Sequence, residues 1–172
     1  MPDFYGSVAD ADSYHQTRGN TGWTGEDAAK QAALIRASAY IDSKYRKKFT
    51  SGRWMSLFPG TKTGGRGQAL EWPRTDAQDY EGNKIPSDEI PAEVQQATYE
   101  AALRELSSPG SLSPDYVPSK LVKRQKVDVI EREFFEPGEL GSAPSTPVVS
   151  VIDNLIAPVL IARYELPGVM VV

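Results

Sequence analysis

Cysteine is absent from this sequence, and histidine occurs once, at position 15. The first absence excludes disulfide staples and thiolate metal sites and suits a reducing compartment. The second leaves little room for imidazole chemistry. Asp12 precedes His15 by three residues, so both share a helix face, but a plain surface or capping role is the expectation. Long apolar runs are missing too: the longest, near residues 155–162, is interrupted by Pro158 and is too short to cross a bilayer. MPDFYGSVADAD at the N-terminus has acids where a signal peptide carries bases. Neither export by that route nor a membrane-embedded chain is expected.

What is present fits one domain: 172 residues, 40% hydrophobic and 24% charged, with a net charge of −4. That net charge argues against a nonspecific nucleic-acid coat as a whole-protein behaviour. The charge is segregated, however. Lys30 to Arg66 holds nine bases and one acid, Asp42, whereas Glu71 to Glu139 holds fifteen acids and eight bases. Such blocks either fold against each other or dock head to tail between copies.

Ser7-Val-Ala-Asp10 has the form of a capping box, opening a helix from about Val8 to Arg18 that Gly19 ends. Thr24-Gly-Glu-Asp27 repeats that signal before a second helix over residues 25–45, with Leu34, Ala37, Ile41 and Tyr45 at helical spacing. Residues 46–67 carry five Gly, one Pro and no sustained period, which reads as a long loop. Pro91 opens a third helix, to about Leu106, with Val94, Ala97, Ala101, Leu103 and Leu106 apolar and Glu100 and Arg104 an i,i+4 pair. Residues 107–119 and 136–146 read as linkers. KVDVIEREFF (126–135) alternates like a strand that pairs with 119–124, and Val148 to Val159 reads as a helix bent or ended near Pro158. The expected fold is mainly α: a bundle of about four helices with long loops, a short strand or hairpin near 119–135 and an extended tail. One domain spans 1–162, and the tail, 163–172, is apolar without being periodic.

Catalytic constellations are hard to find. Asp10 and Asp12 resemble a carboxylate pair, but acids collect at helix N-termini for dipole reasons alone. Gly60-Thr-Lys-Thr-Gly-Gly65-Arg-Gly67 approaches the phosphate-loop pattern and fails at Arg66, where Lys belongs, and at Gly67, where the hydroxyl belongs. No enzyme activity, cofactor or metal site is expected. The cluster Lys44, Arg46, Lys47, Lys48 and Arg53 is interleaved with Tyr45, Phe49 and Trp54. It reads as a solvated helix end, a protein interface or a contact for single-stranded nucleic acid.

QALEWPRTDA (68–77) spends Trp72, Pro73 and Arg74 on a connection between helices. Trp72 and Pro73 read as a structural anchor, with the indole closing the core or laid across neighbouring helices. Arg74 is an interface candidate that pairs with a carboxylate such as Asp42 or one on a neighbour. Lys47, Lys48, Arg53, Trp54 and, in the tail, Arg163, Tyr164, Leu166 and Val169 complete the interface candidates.

The series SVADADSYHQTRGNTGW, AALIRASAYID, GQALEWPRTDA, Gly82 to Pro86 and EIPAEVQQATYEAALREL resembles the head–tail connector (adaptor) proteins of tailed phages. Related sequences often carry the label of DnaT-like single-stranded-DNA-binding proteins. By position, Trp72, Pro73 and Arg74 match the family's WPR signature, Tyr40 to Asp42 its YID-like segment, and Ile85 and Pro86 its IP turn. The resemblance implies a mainly helical virion protein, assembled in the bacterial cytoplasm into a homo-oligomeric ring, typically of twelve copies. Its partners would be the portal protein, the next head-completion or tail-terminator protein, and genomic double-stranded DNA in the channel, with no membrane. The alternative is a replication-restart protein that grips single-stranded DNA.

Overall fold

The computed structural model describes residues 3–48, 51–113, 124–127, 130–133 and 149–161. Helix α1 (Val8–Thr17) starts where Ser7 predicts it: the Ser7 hydroxyl accepts the Asp10 N–H at 3.1 Å. Gly19 closes the helix with φ at +66°, a conformation that only glycine adopts freely. Helix α2 (Asp27–Lys44) begins later than expected. Its N-cap is Glu26 rather than Thr24, and no side chain caps it. Pro91 caps helix α3 (Ala92–Ser107) from outside, one residue before the helix begins. Helix α4 (Ser150–Ile156) gives way to a 3₁₀ turn, Ala157–Val159, at Pro158.

The core forms where α3 packs on both α2 and α4. Leu34, Ala37 and Ile41 of α2, Val94, Ala97 and Ala101 of α3, and Ile152 and Ile156 of α4 are all fully buried. Alanine at the α2–α3 contact lets the helix axes approach closely, and each buried aliphatic side chain contributes roughly 1.5–3 kcal/mol. The Glu100–Arg104 pair forms as its spacing predicts, at 3.1 Å. Glu105, which interrupts the apolar face in the sequence, is buried for a different purpose. Its carboxylate accepts the N–H groups of Gly110 and Leu112 and the Arg36 Nε–H, tying down the turn after α3.

The expectation of a mainly α bundle is overturned: the fold is mixed α/β. Residues 46–67 are not an unstructured loop. They form strand β1 (Arg46–Lys48), strand β2 (Trp54–Ser56), strand β3 (Thr61–Lys62) and a 3₁₀ turn, Gly65–Gly67. Strand β4 (Arg74–Thr75) lies within the WPR segment and pairs antiparallel with β3. Strands of two or three residues are too short to print an alternating pattern, so only structure reveals them. Strand β5 (Arg124–Val127) pairs with strand β6 (Ile130–Glu133), with Val127 opposite Ile130. The single strand expected over 126–135 is therefore divided between two. The linker at 136–146 and the tail, with Arg163, Tyr164, Leu166 and Val169, lie outside the described residues, as does Phe49.

His15 also differs from expectation: it is buried, not on the surface. The reason is the packing of α1 on α3, which brings Nε2 within 3.2 Å of Tyr99 O while Asn20 Nδ2 lies 3.0 Å from Nδ1. A carbonyl can only accept, so Nε2 carries the proton and Nδ1 accepts from the Asn20 amide. Burial lowers the His15 pKa and keeps the ring neutral. Asp12 turns away to accept from Trp23 Nε1 and Lys30 Nζ, so no Asp12–His15 pair forms.

Candidate nucleic-acid interface

At the C-terminal end of α2 the chain leaves the body as a two-stranded ribbon. The β1–β2 register sets Arg46 opposite Ser56, Lys47 opposite Met55 and Lys48 opposite Trp54. Side chains alternate across a strand, so Arg46, Lys48 and Trp54 share one face and Lys47 and Met55 the other. Both faces meet solvent. All of β1 is exposed, Trp54 is 65% exposed and Met55 47%. Residues 46–56 hold four bases and no acid. The Lys48 ammonium lies 5.9 Å from the Trp54 ring centroid, close enough for a cation–π attraction. Ser51, Arg53, Trp54 and Met55 line a hollow of about 280 Å³ at the ribbon's tip. Lys47, Lys48, Arg53 and Trp54, four of the interface candidates, thus come together on one projecting element.

A second hollow, of about 360 Å³, lies at the ribbon's foot. Lys44, Tyr45, Leu57, Asp153, Leu160 and Ile161 line it. Leu57 N–H donates to Tyr45 O at 2.8 Å, and Ile161 N–H donates to Leu57 O at 2.8 Å, so α2, β2 and the end of the α4 segment meet there. Asp153 Oδ1 accepts from Tyr45 OH at 2.7 Å and sits 2.7 Å from Lys44 Nζ. Burial, reinforced by the hydrogen bond to Asp153, pushes the Tyr45 pKa up, which keeps its hydroxyl a donor.

What holds the ribbon to the body is the WPR segment. Trp72 is 1% exposed and packs edge-on against Phe58, with ring centroids 5.8 Å apart. The Trp72–Pro73 peptide bond is cis. Glu71, which the sequence did not single out, is the hub. Its Oε1 takes Arg46 Nη2 of β1 at 3.1 Å and lies 3.5 Å from Lys62 Nζ of β3, while its Oε2 takes Arg74 Nη1 at 2.7 Å. Burial raises the Glu71 pKa, but Lys62, a Ser56 hydrogen bond, Arg74 and Arg46 outweigh it and hold the carboxyl below its ordinary value.

Arg74 is correspondingly an internal residue. It is buried, it pairs with Glu71 and not with Asp42, and its remaining donors reach Pro59 O at 2.6 Å and Gly60 O at 2.7 Å. Gly60 has φ at +68°, and a Cβ there would overlap the Thr75 carbonyl, so this approach requires glycine. Asp42 serves the same segment from below. Its Oδ2 accepts the Glu71 N–H at 3.0 Å, its Oδ1 accepts Tyr5 OH at 2.6 Å, and Tyr5 OH in turn accepts the Trp72 N–H. Burial lifts the Asp42 pKa to about 6 despite those donors.

Comparison with known proteins adds one result. The family described as "Putative DnaT-like ssDNA binding protein" matches residues 2–171. The chain belongs to this family. Neither a curated protein nor a solved structure matches it. The family's description is the label that the resemblance carried as its alternative, and it names no connector. Four exposed bases and the exposed Trp54 of this family member meet at the ribbon, whereas Trp72 and Arg74 are spent inside the fold. Tyr5 and Glu71 escaped the sequence reading, and Asp42 enters it as a partner for Arg74, because the contacts that mark this network are distant. Asp42 meets Tyr5 across 37 positions and the Glu71 N–H across 29, and Tyr5 meets the Trp72 N–H across 67. Among the described residues, no group of three or more His, Cys, Asp or Glu side chains is placed to hold a metal ion. No helix there is long and apolar enough to cross a membrane.

Proposed function

We propose that this protein binds single-stranded nucleic acid through the β1–β2 ribbon. The observation that carries the reading is the exposed Trp54 ring beside Lys48 and Arg53. An indole face left in water offers any base a stacking partner, and neighbouring cations take the phosphates. Net charge is a poor guide here, because binding follows the local field and the ribbon holds four bases with no acid. The description of the family supports the same reading.

The test is anisotropy of a labelled oligonucleotide across a salt series. Affinity should fall steeply with salt, and Lys48→Ala should lower the slope of log K against log salt by about 0.7. Trp54 is the one tryptophan that solvent reaches freely, since Trp23 and Trp72 are buried, so its emission should be quenched on binding. Absence of binding at low salt would remove the proposal.

A ring-forming virion adaptor is the second reading, and one observation favours it. Trp54 and Met55 expose apolar surface on opposite faces of the ribbon, more than one strand of nucleic acid covers. Light-scattering mass separates the two: a stable multimer of roughly twelve copies, alone or with a portal, supports the ring. In that reading the protein is a structural component without enzymatic activity.

A further inference from the structure

We infer that the β1–β2 ribbon is a wedge for the splayed end of a duplex: it enters where two strands part and takes one strand on each face. The inference rests on the proposed binding of single strands by the ribbon and names the form of nucleic acid that the ribbon prefers.

Three observations carry it. The first is that the two faces are built alike. Lys48 and Trp54 stand on one face, Lys47 and Met55 on the other, and all four are exposed. A base stacks on the indole of the first face. On the second, the Met55 thioether is a soft, adaptable surface that makes favourable contacts with aromatic rings. Methionine is also among the side chains that wedge between base steps. One strand covers Trp54 and leaves Met55 in water, and a second strand covers Met55.

The second is charge. Residues 46–56 hold four bases and no acid, so the phosphates of both strands meet a positive field. That field favours nucleic acid over an apolar protein surface as the occupant of the Met55 face.

The third is where the faces meet. The hollow of about 280 Å³ at the ribbon's tip is lined by Trp54 and Met55 together, with Ser51 and Arg53 beside them. A projecting tip that carries both apolar side chains and an exposed guanidinium suits the point at which the strands part. Behind it the ribbon keeps the strands from pairing again. A sheet layer with its side chains is about 10 Å thick, well beyond the roughly 3 Å of a hydrogen bond.

The experiment measures anisotropy with four labelled DNAs. They are a duplex with two unpaired thymidine arms, the same duplex with only the 5′ arm or only the 3′ arm, and a single strand as long as both arms. The two-armed duplex should bind about tenfold more tightly than any of the other three, because its second strand adds a contact without a second association step. Met55→Ser should bring that ratio to about one, whereas Trp54→Ala should weaken binding to all four. Both side chains are exposed, and thermal melts establish that each variant is folded. The one-armed duplexes test the second face without altering the protein. Equal affinity for the two-armed and one-armed duplexes overturns the wedge and leaves single-strand binding standing. Failure of the wild type to bind any of the four overturns both.

Discussion

Trp72 and Trp54 divide the tryptophan chemistry of this protein between fold and surface. Trp72 is 1% exposed and closes a cluster with Phe58. Trp72→Ala should cost about 3–5 kcal/mol in a urea melt, because the transfer free energy is lost and a cavity is left. Arg74 carries a related consequence. Its pair with Glu71 is buried on both sides, with side-chain exposures of 6% and 7%, so truncation leaves Glu71 Oε2 and the carbonyls of Pro59, Gly60 and Glu71 without their Arg74 donor. Arg74→Ala should destabilise the isolated chain by about 3 kcal/mol, and an unchanged melting curve would show that the guanidinium is dispensable. Trp54→Ala should leave stability within about 0.5 kcal/mol, as expected of an exposed residue, while weakening single-strand binding roughly tenfold. That pair of outcomes, one from a melt and one from a titration, separates a surface role from a structural one.

At the scale of elements, what the sequence discloses depends on how locally an element is specified. Helix α1 is legible because Ser7, Asp10 and Gly19 stand at its ends and act on their own neighbours. Helices α2 and α3 are legible through apolar spacing, although the Thr24 signal misplaces the start of α2 by failing to cap it. The ribbon is not legible. Three residues per strand give no period, and a two-stranded ribbon is marginal without support from the body. That support comes from Glu71, which joins Arg46 of β1, Lys62 of β3 and Arg74 of β4. The charge segregation read from the sequence is in part this: basic residues of the 30–66 block folded onto an acid of the next. The site was half legible. Lys47, Lys48, Arg53 and Trp54 are close in sequence and stay together, whereas the foot cleft joins Lys44 to Asp153 across more than a hundred positions. If Glu71 is the ribbon's support, Glu71→Gln should increase protease cleavage at the ribbon's Lys and Arg residues before it alters cleavage in the helices. Simultaneous loss of both would mean that the ribbon and body unfold as one unit.

For the whole molecule, pH tests whether the Asp42 network behaves as its geometry requires. An acid whose folded pKa is raised binds more protons folded than unfolded between the two values, so stability falls as pH rises through that window. For Asp42 the window runs from the ordinary 3.8 to about 6, and the full cost, on the order of 3 kcal/mol, is present above it. Other groups act in the opposite direction. His15, held below its ordinary value by burial, adds stability above pH about 6.5 that is lost as pH falls through its folded pKa. The lowered carboxyls of Glu71, Glu105 and Asp12 lose their contributions as pH falls further. A wild-type melt therefore mixes opposed slopes, and the informative quantity is the difference between wild type and Asp42→Asn at each pH. The asparagine keeps a carbonyl for Tyr5 OH but cannot accept the Glu71 N–H, which costs about 1–3 kcal/mol at every pH. It cannot titrate, so the difference should shift against the wild type as pH rises from about 4 to about 7. A difference that stays level across that range would mean that Asp42 titrates as an ordinary surface carboxylate and that the Tyr5–Asp42–Glu71 chain is open to water.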